Sequence, residues 1–183
     1  PLVKPSMLQI PVLRSGLTMF GFQFLIQAGV FFVVPLFLSV VLELPALETG
    51  LRILPLSLAL LIGALGVPRL FPAVSLRRAV RVGILLMLVG ILVLRSGVNL
   101  DASAAVVAIP LVLMGLGIGT LASQLGALVV SSVPDSESGD VGGLQNTSTN
   151  LGASLGTALA GSILIASLTG SFLAGIQNNP DVP

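Results

Sequence analysis

Residues 139–165, GDVGGLQNTSTNLGASLGTALAGSILI, are long and apolar enough to cross a bilayer, yet most of the surface they would present is glycine, small or amide. Advancing about 100° per residue on a helix puts Gly139, Gly143, Asn146, Asn150, Ala153, Thr157 and Gly161 on one face. Gln145, Thr149, Gly152, Gly156 and Ala160 form a stripe beside it, and Leu144, Leu151, Leu155 and Leu159 lie opposite. In hydrocarbon an amide finds no solvent partner, while small residues let backbones approach closely. Such a helix needs protein or water on most of its sides, and the rest of the chain must supply part of that surrounding.

The 183 residues are 55% hydrophobic and 8% charged, whereas a soluble domain carries about 25% charged residues. The chain therefore reads as an integral membrane protein, with the lipid bilayer as its solvent. Its expected fold is all-α: a bundle over residues 15–169 of five transmembrane helices, at about 15–42, 50–71, 78–98, 102–130 and 141–168. An interfacial segment, 1–14, precedes them and a polar tail, 170–183, follows. The first segment has three prolines and no small-residue cleavage motif, so the span behind it is read as retained. Pro55 is expected in the first turns of the second span, where early N–H groups have no intrahelical acceptor. Arg81 and Arg95 bracket only about 13 uncharged residues in the third, so both must snorkel outward. Gln23 and Gln27, four apart in the first span, share a face that either bonds a neighbouring helix or lines a wet cavity. The fourth span repeats the design of the fifth, with Gly115, Gly119, Ser123 and Gly126 in a small stripe beside Gly117, Thr120 and Gln124.

Absences narrow the chemistry. With no Cys, His, Trp or Tyr, the chain lacks thiolate nucleophiles, imidazole bases and the usual nitrogen and sulfur metal ligands. No metal, cofactor or enzymatic activity is expected. Gly152-Ala153-Ser154-Leu155-Gly156 spells a G-x-S-x-G elbow, but that motif needs a strand-to-helix turn and a base. Gly115-x-Gly117-x-Gly119 follows no strand and reads as helix packing rather than a dinucleotide loop. Asn146-Thr147-Ser148 is a sequon inside a span, where it is no acceptor surface. No basic cluster interleaved with aromatics exists to hold nucleic acid. No Asp or Glu falls at a predicted midplane, so a coupling carboxylate would have to lie outside this segment.

Five crossings put Lys4, Arg14, Arg69, Arg77, Arg78 and Arg81, six of the eight Lys/Arg, on one side and Arg52 and Arg95 on the other. The positive-inside rule makes the first side, with the N-terminus, cytoplasmic.

Three stretches together carry a family likeness. Thr49 to Pro55 (TGLRILP) resembles the a-G-l-x-l-l-P pattern that opens the second helix of the C-terminal half in major facilitator superfamily exporters of the fourteen-helix, drug:proton antiporter branch. Gly115 to Gly119 (GLGIG) resembles their glycine-rich penultimate pattern, and Gly143 to Gly156 resembles G-l-x-n-t-x-r-x-l-G-x-s-l-G. The loop between the second and third spans keeps the arginine pair as Arg77 and Arg78, but Pro72, Ala73 and Ser75 stand where that family has Asp, Arg and Gly.

The resemblance implies five helices of a six-helix half-bundle, and a chain that does not begin with Met reads as a partial one. It implies export of small hydrophobic or cationic substrates by proton antiport and alternating access, in a bacterial-type cytoplasmic (inner) membrane, with the missing N-terminal half-bundle as partner. On that likeness Gln23, Gln27 and Gln124 would line the cavity. Gly115, Gly119, Asn146, Asn150, Gly152 and Gly156 would form helix or half interfaces, and Arg69, Arg77, Arg78 and Arg81 would be cytoplasmic loop charges. Two alternatives stand beside it. A permease of the same superfamily for another small solute would carry charged cavity residues upstream, whereas a non-transport scaffold or complex subunit would copurify with a partner and move nothing.

Overall fold

A computed structural model describes residues 5–97 and 107–177, and these form five long helices with no strand among the described residues. A 3₁₀ turn, Pro5–Gln9, leads into α1, Pro11–Leu36. Pro11 sits where its missing N–H is no loss. Near the far end Pro35 interrupts the backbone ladder, and a π-helical turn, Phe37–Val41, follows it. Glu43, at φ 51°, reverses the chain, and Leu44 N–H closes back on Leu38 O at 3.1 Å.

Helix α2, Ala46–Leu70, is one turn longer at its start than its hydropathy suggests. Glu48, favourable beside the N-terminal dipole, accepts from Arg52 at 3.3 Å across one turn, so Glu48 joins the helix rather than the loop. That extension moves Pro55 from the expected first turns to the helix interior. Helix α3, Leu76–Gly97, starts where Ser75 O accepts Arg78 N–H and Ala79 N–H, and it keeps Arg77, Arg78 and Arg81 exposed in its first two turns. Helix α4 is Ala108–Val130. A short 3₁₀ turn, Asp135–Glu137, then enters α5, Ser138–Gln177, whose 40 residues run past the tail expected from residue 170. Nothing between Thr169 and Gln177 breaks a helix as proline would, so polarity alone does not end it. Residues 1–4 and 178–183 of the expected terminal segments, with Lys4, lie outside the described residues.

All five helices are long and apolar enough to cross a membrane. Helix α4 is the hub: it packs on α2, α3 and α1, and half of its most apolar stretch is buried against 11% for α1. Helix α5 packs chiefly on α1. Two apolar clusters fill the contacts. One joins Leu13 and Phe20 of α1 to Ile118, Leu125 and Val129 of α4, with Val141 of α5. The other joins Val34 and Leu38 to Leu56 and Leu111 near the opposite end.

Candidate functional site

The small-residue stripes decide how the helices meet. A Cβ on Gly115 would strike Leu56 O of α2, and one on Gly119 would strike Leu60 O. From the other side, a Cβ on Gly63 would lie 2.5 Å from Leu116 O. Helices α2 and α4 thus approach to backbone contact over about two turns, the geometry that small-xxx-small spacing permits in lipid. Gly117, 200° around α4 from Gly115 at about 100° per residue, serves α3 instead: a Cβ there would come 2.6 Å from Gly83 O. Gly90 completes that second joint against Pro110 and Met114.

Helix α5 uses the same device once. Gly152 and Gly156 rest on Gly21 O and Leu25 O of α1, leaving no room for a side chain. One turn earlier Ser148 Oγ donates to Leu17 O at 2.6 Å, so Ser148, Gly152 and Gly156 make one continuous joint with α1. Of the two kinds of interface expected for Gly152 and Gly156, between helices or between halves, the one they form here is a helix joint with α1 of the same bundle. Ser148 was missed by the sequence reading, although its four-residue spacing from Gly152 was the available signal.

The neighbouring face of α5 stays open. Nothing lies within 4 Å of a Cβ built at Gly139, Gly143 or Gly161, and Asn146, Asn150 and Thr157 are exposed. Asn150 Nδ2 donates to Asn146 Oδ1 at 3.2 Å, and Thr157 Oγ1 turns back to Ala153 O. These polar groups satisfy one another along their own helix, an arrangement that leaves part of each amide available to a partner.

The three glutamines occupy separate surroundings. Gln23 is 3% exposed; its Nε2 donates to Ile118 O of α4 at 3.4 Å, while Oε1 has no partner. Gln27, one turn on, is half-buried, and Gln124 lies in a hollow with Val67, Phe71 and Ala79, between α2, α3 and α4. Arg69 ends α2, and with Arg14, Arg77, Arg78 and Arg81 it is exposed at the end of the bundle where α1, α3 and α5 begin. Among the described residues no group of His, Cys, Asp and Glu could hold a metal ion.

The sequence matches the Major Facilitator Superfamily over residues 2–157. It is 30% identical over 177 residues to the tetracenomycin C resistance and export protein of Streptomyces glaucescens, covering 93% of this chain and 31% of that protein. It is also 30% identical over 166 residues to the uncharacterized transporter YebQ of Escherichia coli (strain K12), covering 90% and 36%. A third relative, the multidrug efflux pump LfrA of Mycolicibacterium smegmatis, is 30% identical over 156 residues, covering 85% and 29%. The chain thus spans about a third of the length of the curated relatives it matches. No solved structure gives a significant match. Five membrane-length helices joined at glycine contacts, and a family match over most of the sequence, place this chain in the Major Facilitator Superfamily.

Proposed function

We propose that the chain is the C-terminal part of a secondary transporter that exports small hydrophobic or cationic compounds by alternating access, driven by proton entry across a bacterial-type cytoplasmic membrane. One observation carries the reading: α5 spends one small-residue face on α1 and leaves its second, amide-bearing face uncovered. In lipid that face needs a protein or water neighbour, and the exporters related to this chain are about three times its length, enough to include a second bundle. On this reading the Asn146 and Asn150 face is the surface that slides against the N-terminal half, and Gln27 would line the cavity between halves. The arginine-rich end faces the cytoplasm, in keeping with the excess of basic residues there.

The test is efflux of a lipophilic cation from cells expressing the full-length transporter, normalised to the protein in the membrane. Asn150→Leu, at an exposed position whose side chain bonds only along α5 in the contacts described above, should cut efflux at least tenfold at normal membrane abundance. Wild-type efflux in that variant would show that the face meets only lipid.

A further inference from the structure

The four principal helix contacts are of two kinds. Between α2 and α4, Gly115 and Gly119 meet the Leu56 and Leu60 carbonyls, and Gly63 meets that of Leu116. Between α3 and α4, Gly117 meets the Gly83 carbonyl and Gly90 that of Pro110. Between α1 and α5, Gly152 and Gly156 meet the Gly21 and Leu25 carbonyls, and Ser148 bonds Leu17 O. The fourth contact, between α1 and α4, has no such seat. Its glycines face side chains: a Cβ on Gly16 would lie 2.7 Å from Val129 Cγ2, and one on Gly126 3.8 Å from Phe20 Cζ. The rest of it is Leu13, Leu17 and Phe20 among Ile118, Leu121 and Leu125. Among the described residues the hydrogen bond that ties α1 to α4 is Gln23 Nε2 to Ile118 O, at 3.4 Å long for an N–H donor.

This difference divides the described helices into two units, α1 with α5 and α4 with α2 and α3. The chain passes between them twice, through residues 37–45 and 131–137. The first passage holds the π-helical turn after Pro35 and Glu43 at φ 51°, so no continuous α-helix crosses the division there. We propose that the two units are separate rigid bodies and that α1 shears along α4, carrying α5 with it. A carbonyl seated on a glycine fixes register, because a slide along the axis drives its oxygen towards the side chains beside that glycine, and two seats four residues apart fix it twice. Apolar side chains hold no such register. Over the short slides by which packed helices shear, they follow by rotamer change and leave no polar group unpaired. Gln23 reaches Ile118 through a flexible side chain, and one long bond is a weak brake. The inference concerns contacts inside this bundle and does not rest on the transport reading. In a transporter it would make the Asn146 and Asn150 face and Gln27 travel together, while the arginine-rich ends of α2 and α3 stay with α4.

Two methionines report the motion. Met19 of α1 shares a hollow with Val80 of α3 and Leu125 of α4, so a slide changes its surroundings. Met114 is fully buried and would touch a Cβ on Gly90, inside the joint between α3 and α4. In the full-length transporter in lipid nanodiscs, ¹³C-methyl relaxation dispersion on the microsecond to millisecond scale of shear motions should be present at Met19 and absent at Met114. The sliding contact can also be locked. Val129 Cβ lies 4.0 Å from the Cβ position of Gly16, inside the span of about 3.5–4.5 Å that a disulfide bridges. Oxidising Gly16→Cys/Val129→Cys, on a background without other cysteines, should remove the Met19 dispersion, and reduction should restore it. Equal dispersion at both methionines, none at Met19, or Met19 dispersion that survives the disulfide would overturn the proposal. The comparison of Met19 with Met114 needs no substitution, so it decides the matter even where the double variant does not fold. Efflux is not the readout, so an inactive protein would count against the transport reading and leave the shear to be decided by the methyl signals.

Discussion

Gly156 and Leu155 are chain neighbours with opposite surroundings. Gly156 rests on the Leu25 carbonyl, whereas Leu155 is 57% exposed. Replacing Gly156 by Leu forces a side chain into backbone, which ordinary overpacking prices at about 1–3 kcal/mol and a rigid carbonyl raises further. In the full-length transporter Gly156→Leu should therefore abolish export or membrane insertion, while Leu155→Ala stays near wild type, as drug efflux per unit of membrane protein would show. The reverse order would mean that α5 meets α1 through another face. Ser148→Ala is gentler. It removes one interhelical hydrogen bond, worth about 0.6 kcal/mol on average in a membrane bundle, so thermal unfolding in detergent should shift by only a few degrees.

At the scale of helices, hydropathy made the five spans legible because uncharged runs of membrane length have few other uses. Boundaries were less legible for a physical reason. Glu48 pairs with Arg52 across a helical turn, so a charge expected before the second span belongs to α2, and Pro55 became an interior proline. Polarity after residue 170 likewise suggested a tail where no residue breaks α5 before Gln177. The stripes were visible as spacing, but a stripe does not name its partner. Gly115 and Gly119 chose α2, Gly117 chose α3, and Gly152 chose α1, choices set by which carbonyls the folded bundle brings opposite. The glutamines show the same limit: Gln23 and Gln27 share a face by spacing, yet one is sealed against α4 and the other is half-buried.

At the scale of the molecule, orientation and activity remain to be tested together. The chain has no native cysteine, so single cysteines report sidedness without background. A cysteine at Ser75, between α2 and α3, should react with an impermeant maleimide only from the cytoplasm, and one at Ala46, at the start of α2, only from outside. Exchange of those patterns would invert the topology. Activity asks more of the chain than topology does. A bundle with one amide-bearing face uncovered has no opposing bundle to seal a cavity in turn from each side, and alternating access needs that counterpart. The most direct measurement is uptake of a lipophilic cationic dye into proteoliposomes under an imposed pH gradient, comparing the full-length transporter with these 183 residues alone. The expected result is gradient-driven uptake, abolished by a protonophore, for the full-length protein and none above empty liposomes for this chain. Uptake by the chain alone, or full-length uptake indifferent to the gradient, would contradict it.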